Sequence, residues 1–249
     1  MTGFSYQLYS SRDHTPWSDV LKTLGKAGYK AVEGFGGVYD DPKAFRAAMT
    51  ANGLKMPTAH FPIEMLEKQF GQAEAIAKTL GVKIMICPYL SAEDRPRDSK
   101  GWIAFGKRLE KIAVRAKAAG YAFAWHNHDF EFHSLPDGSS PMRHILEAAP
   151  NVDWEMDVAW AIRGGADPSV WIMAFGPRIV SVHVKDIAKA GMNIDQDGWS
   201  DVGSGVVDWK GLFKLLRAKT KAKHFVMEHD KPADAARFAK RSIAAANTF

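Results

Sequence analysis

Short runs of alternating or crowded apolar residues recur along the chain. Each is followed by a longer stretch whose apolar residues fall three and four apart. The short runs lie at residues 4–10, 29–35, 55–61, 82–89, 121–128, 152–158, 179–186 and 223–229. The longer stretches lie at 17–27, 42–52, 63–80, 101–119, 141–149, 168–175, 209–218 and 232–247. The first pattern predicts strands and the second amphipathic helices. Start and stop signals agree with this division. Asp41-Pro42, Asp167-Pro168 and Lys231-Pro232 place proline in a first helical turn. Gly28, Gly53, Gly81 and Gly120 each follow a helical stretch where a helix C-terminal glycine belongs.

Strict alternation of strand and helix argues for parallel pairing, because parallel strands need a crossover and a helix usually provides it. Eight such units in 249 residues match the size and count of a (β/α)8 TIM barrel. The competing open, doubly wound sheet would carry a glycine-rich phosphate loop after its first strand, whereas this chain continues into Tyr9-Ser10-Ser11-Arg12-Asp13. No linker or composition shift divides the sequence, so residues 1–249 are expected to form a single barrel domain.

Composition adds limits rather than direction. The chain is 46% hydrophobic and 24% charged, as an ordinary globular protein is, and its one cysteine, Cys87, forbids an intrachain disulfide. A net charge of +5 invites a nucleic-acid reading, but Lys and Arg are spread over the outer helices, so no nucleic-acid partner is expected. There is no apolar run long enough to span a membrane and no leader-like start. The expected location is cytoplasmic, or periplasmic if a leader preceded Met1. The oligomeric state is left open, a homo-oligomer included.

In such a barrel the active site is built at the C-terminal ends of the strands. Those ends carry His60, His126, His128, His183 and His229, joined by Glu33, Glu131, Asp157 and Glu228. Strand parity orders them further. Val180, Val182 and Val184 form an apolar row suited to the helix side, which leaves Ser181, His183 and Lys185 pointing inward. Asp153, Glu155 and Asp157 share a face opposite Trp154 and Met156, and Val226 shares one with Glu228. Asp157, His183 and Glu228 are therefore expected to converge at the barrel mouth. Two carboxylates and an imidazole gathered in an apolar barrel call for a compensating cation. Mixed oxygen and nitrogen ligation suits one divalent metal ion: Mn2+, Mg2+, Co2+ or Zn2+. His126 is a further candidate ligand. Glu33 could equally contact substrate or accept a buried hydrogen bond.

The segments Trp125-His126-Asn127-His128-Asp129-Phe130-Glu131-Phe132, Met156-Asp157 with Trp160, and His183-Val184-Lys185-Asp186 resemble the xylose isomerase-like sugar isomerase/epimerase family. So do the loop Asp201-Val202-Gly203-Ser204-Gly205 leading to Val207-Asp208-Trp209 and the strand Val226-Met227-Glu228. The likeness covers the second half of the chain directly and the first half only in its strand and helix rhythm. It implies one divalent cation held by a Glu on strand five, an Asp on six, a His on seven and a Glu on eight. The last three fall on Asp157, His183 and Glu228. The first falls on Ala124, which cannot bind a metal, so His126, Glu131 or water is expected in its place.

The chemistry this implies is proton abstraction next to a carbonyl of a small sugar, with a cation stabilising the enediolate. Glu228 is the expected base, and His128, Glu131 and Lys185 are expected acids or clamps. Glu33, His60, Asn127, Trp160 and Asp186 are expected at the substrate. The leading expectation is a sugar or keto-sugar isomerase/epimerase. A lyase or dehydratase acting on a 3-keto-sugar, keto-glycoside or inosose comes next, because loss of the strand-five carboxylate disfavours a two-carboxylate exchange. An endonuclease IV-like nuclease and a non-catalytic sugar-binding barrel are the remaining alternatives.

Overall fold

The computed structural model describes residues 3–249, so the reading of the start at Met1 lies outside it. Strands β1 (Ser5–Gln7), β2 (Ala31–Gly34), β3 (Lys55–His60), β4 (Ile84–Cys87), β5 (Ala122–His126), β6 (Asp153–Asp157) and β7 (Ile179–Val184) run in order around a wall that β10 (His224–Met227) closes against β1. All eight pair in parallel. A small antiparallel ladder, β8 (Asp186–Ile187) with β9 (Trp199–Ser200), stands above β7. The expected (β/α)8 barrel is thus the observed architecture.

Among the described residues ten α-helices surround the wall: α1 (Trp17–Ala27), α2 (Pro42–Ala51), α3 (Ile63–Lys68), α4 (Phe70–Leu80), α5 (Ser99–Ala118), α6 (Pro141–Ala148), α7 (Val158–Arg163), α8 (Pro168–Phe175), α9 (Trp209–Lys219) and α10 (Ala235–Ala246). Their ends follow the sequence signals in most places. Pro42 and Pro168 open α2 and α8 behind the capping carboxylates of Asp41 and Asp167. Gly28 and Gly81 close α1 and α4 at φ of 100° and 84°, a region where a side chain would clash with its own backbone. Pro232, in contrast, does not start the last helix. Asp234 caps it and α10 begins at Ala235. None of the ten is long and apolar enough to cross a membrane.

Three departures from the expected pattern shape the mouth. The first strand stops at Gln7, where the chain turns into a 3-10 segment, Leu8–Ser11. The fifth stops at His126, so His128 lies in the loop beyond it. The sixth stops at Asp157, whose side chain accepts the Trp160 N–H and so starts α7, a helix too short to show as a period in the sequence.

The outward faces of the strands, including Met85, Trp125, Trp154, Met156, Val182, Val184 and Met227, join the helices in one apolar core. A register shift between β6 and β7 gives β7 an extra residue there, and Val180 packs against Ile84, Ile86 and Ala124 instead of joining the outer row as expected. These four residues make an apolar plug, and Ala124 is part of it. The position expected to carry a ligand is thus committed to dry packing.

Candidate active site

The inward face of the upper barrel carries charge where the lower part carries Ile and Val. Glu33 on β2, His60 on β3, His126 on β5, Glu155 and Asp157 on β6 and His183 on β7 are all buried there. The register seats Asp157 beside His183 and His126 beside Glu155. Glu228 and Asp230 follow the end of β10, and Lys185 follows β7.

Ring nitrogens meet carboxylates throughout this layer. His183 Nδ1 lies 2.8 Å from Glu228 Oε2, and its Nε2 lies 2.6 Å from Glu33 Oε1 and 3.2 Å from Glu155 Oε2. His60 Nε2 lies 2.7 Å from Glu155 Oε2 and 3.1 Å from Glu33 Oε1. Gln7 donates to Glu33 Oε1 at 2.7 Å and so fixes that carboxylate from β1. Lys185 Nζ reaches Glu228, Asp230 and Asp157 at 2.9, 2.9 and 3.4 Å.

The charges set one another's protonation. Burial works against the charged form of His60, but Glu33 and Glu155 outweigh it and raise the ring to about 9. His183 is raised well above its ordinary value in the same way, by Glu155, Glu228 and Glu33 against burial. Burial also opposes ionised Glu155 and Glu228. The imidazoles around the first, and Lys185 and His183 beside the second, hold both carboxyls well below the usual range. His126 and His128 are pushed the other way: burial lowers them, and their cationic neighbours add to it.

The expected ligands do come together. His126, Asp157, His183 and Glu228 form one group whose donor atoms lie within 4.8 Å of one another, and His60, His126, Glu155 and His183 form a second. Among the described residues, buried Glu155 Oε1 and Glu33 Oε2 have no hydrogen-bond partner, and Asp157 Oδ2 and His126 Nδ1 have only long ion-pair approaches, from Lys185 at 3.4 Å and to Glu155 at 3.3 Å. Each such atom costs about 1–3 kcal/mol when left unsatisfied. A donor set of imidazoles and carboxylates with orphaned, inward atoms fits a divalent cation.

Above this layer opens a cavity of about 590 Å3, reached by His60, His126, His128 and Glu228 from below and walled by Tyr9, Phe35, Tyr89, Trp160 and Trp199. Trp160 and His128 thus face the cavity as expected. Lys185 lies below it, near the rings of Trp160 and Trp199.

Three expected site residues are placed elsewhere. Glu131 points out of the barrel, where Oε1 accepts from Trp125 Nε1 at 3.0 Å and Oε2 from the His128 N–H at 2.9 Å. It joins neither ligand group, and burial pushes its carboxyl up to about 8. Asn127 Oδ1 accepts from Trp154 Nε1 at 2.8 Å and from the Asp157 N–H at 3.0 Å, so it holds the start of α7 rather than a ligand. Asp186 collects the N–H groups of Ile187, Gly203, Gly205 and Val207, and so shapes the glycine loop. A Cβ at Gly205 would collide with that carboxylate. Glu33 is the buried acceptor of its two expected alternatives.

Glu155 is the residue that sequence reasoning left without a role, although its parity with Asp157 placed it on the inward face. Gln7, Asp230 and Trp199 carried no signal. Gln7 enters from the last position of β1, Asp230 from the turn past β10 and Trp199 through the β8–β9 ladder.

A family model for the xylose isomerase-like TIM barrel matches residues 21–246. Among solved structures, a sugar phosphate isomerase/epimerase from Parabacteroides distasonis ATCC 8503 is 21% identical and superposes with a TM-score of 0.81 over 98% of this chain and 93% of its own. The probable 3-DHS dehydratase of Bacillus anthracis is 13% identical, with a TM-score of 0.78 over 98% of both chains. The 3-keto-D-glucoside 4-epimerase of E. coli is 19% identical, with a TM-score of 0.72 over 100% of both. No curated protein matches the sequence. At these identities the superpositions show a shared fold, and the match over nearly the whole chain shows the family. The chain belongs to the xylose isomerase-like TIM-barrel family.

Proposed function

We propose that the protein is a metal-dependent enzyme that moves a proton next to a carbonyl of a sugar or keto-sugar, as an isomerase or epimerase. The observation that carries this reading is the position of Glu228. Its carboxylate faces the aromatic-walled cavity while Lys185 and His183 fix it from below. It is held ionised by that pairing and lines the space where a substrate would lie, the place and charge state a proton acceptor there needs.

The other residues have parts that follow from their places. Trp160, Trp199 and Tyr89 offer flat apolar faces to a sugar ring. His128, neutral and at the wall, can receive or return a proton at a hydroxyl. His126 and His183 would hold a divalent cation, Mn2+, Mg2+, Co2+ or Zn2+, together with Asp157 and Glu228 or with His60 and Glu155. Such a cation would supply Lewis acidity toward the substrate's oxygens as negative charge develops.

The neighbours named as isomerase, epimerase and dehydratase support an enzyme of this class. One observation favours the dehydratase or lyase version as a second reading. Ala124 lies in the apolar plug, so β5 sends no carboxylate to the cavity and Glu228 lacks the partner expected from that strand. The test is incubation of metal-loaded protein with keto-sugars in deuterated water. Label in a sugar product supports isomerisation or epimerisation, an unsaturated product or released aglycone supports elimination, and no exchange with any keto-sugar contradicts both.

A further inference from the structure

We infer that the cation is held deeper in the barrel than the family resemblance implies, by His60, His126, His183 and Glu155, and that this group takes zinc or cobalt in preference to magnesium. The inference rests on the metal dependence proposed above and specifies its site.

Three imidazoles from three strands converge on one carboxylate oxygen. Glu155 Oε2 lies 2.7 Å from His60 Nε2, 3.2 Å from His183 Nε2 and 3.3 Å from His126 Nδ1. Glu155 and His183 are fully buried, and His126 is 2% exposed. Among the described residues Glu155 Oε1 has no hydrogen-bond partner and His126 Nδ1 has only its 3.3 Å approach to Glu155, so this buried group keeps donor atoms to spare.

The competing group is already served by a cation of its own. Lys185 Nζ bridges Asp157 Oδ2 and Glu228 Oε2 at 3.4 and 2.9 Å, and a metal ion between the same oxygens would meet the ammonium's repulsion. Among the described residues no lysine or arginine is paired with Glu33 or Glu155, whose ion-pair partners are all imidazoles.

His183 also discriminates between the two positions. A ligating histidine commonly donates its second ring N–H to a carboxylate, which fixes tautomer and ring orientation. With Nε2 turned to Glu33 at 2.6 Å and Glu155 at 3.2 Å, Nδ1 is left to donate to Glu228 at 2.8 Å. Ligation through Nδ1 beside Asp157 would spend that bond. Three imidazoles and one carboxylate suit Zn2+ or Co2+, whereas Mg2+ demands oxygen ligands and retains water.

The experiment is X-ray absorption spectroscopy on the Co2+- and Zn2+-loaded full-length protein, with Zn2+ affinities of three variants measured by competition against a chelator. Three imidazoles per ion are expected, together with Zn2+ retention against excess Mg2+. His60→Gln and Glu155→Gln should weaken Zn2+ binding by at least ~10–100-fold, while Asp157→Asn changes it only a few-fold. Two imidazoles or fewer, loss of the ion in Asp157→Asn with retention in His60→Gln, displacement by Mg2+, or no stoichiometric ion would overturn the inference. The spectroscopy on unaltered protein keeps the test valid if a variant misfolds. None of these readouts uses substrate, so an ion at this group in a protein inert toward keto-sugars would retire the proposed reaction and leave the site standing.

Discussion

Lys185 Nζ and Glu228 Oε2 lie 2.9 Å apart at the top of the barrel, both buried, with Asp157 and Asp230 on the same ammonium. Breaking a buried pair by removing one partner leaves an uncompensated charge and costs about 3–5 kcal/mol. Lys185→Met is therefore expected to lower the unfolding free energy by about that amount in urea titrations, far more than loss of the exposed Glu64–Lys68 pair.

The same pairing makes stability depend on pH. Burial opposes the ionised form of Glu228, yet Lys185 and His183 hold its folded-state carboxyl well below 4.5. A depressed carboxyl adds stability that is present above its unfolded value and is lost as pH falls through the folded one. The unaltered protein should lose stability progressively below about pH 4.5, and Glu228→Gln should flatten that limb in thermal melts across pH.

Asn127 ties β5 to β6 through two accepted N–H groups, those of the Trp154 ring and the Asp157 backbone. Asn127→Ala orphans both. The expected loss is roughly 2–4 kcal/mol from two unsatisfied buried donors, read by denaturant unfolding.

Glu131 separates structural from metal roles. Its folded carboxyl is raised to about 8 against an ordinary 4.5, first by burial. A raised group contributes stability that is complete below 4.5 and is lost as pH rises through about 8. Glu131→Gln removes one of two acceptors, so it should cost about 1–3 kcal/mol at neutral pH and weaken the alkaline decline. Metal content, measured by elemental analysis, should not change.

Cation binding should release protons. Glu33 and Glu155 raise His60 to about 9 against the opposing effect of burial, and His183 is raised as well. An ion that ligates these rings must displace their protons, so its affinity should climb with pH up to about 9. Calorimetry in two buffers of different ionisation heat gives the count directly.

Much of this site is legible in the sequence. Periodicity and glycine placement locate all eight barrel strands, and parity puts Asp157, Glu155, His183 and Glu228 on inward faces. What escaped depends on contacts that no period encodes. The break between α3 and α4 falls at Gln69, without glycine or proline to mark it. The extra residue in β7 turns Val180 into the barrel, and nothing in a row of alternating valines announces it. Glu131 looked like a metal ligand and Asp186 like a substrate contact because they are acidic and near strand ends. Whether such a carboxylate meets a cavity or a set of backbone N–H groups is decided by the loop path, as Asp186 shows with its four donors.

The most direct measurement follows deuterium from solvent into the carbon next to the carbonyl of a keto-sugar, comparing metal-loaded protein with a metal-loaded Glu228→Gln variant of unchanged fold. Exchange by the first and its loss by at least about a hundredfold in the second is the expected result, the scale of a lost general base. Equal exchange by both would show that Glu228 does not move the proton and would contradict the account.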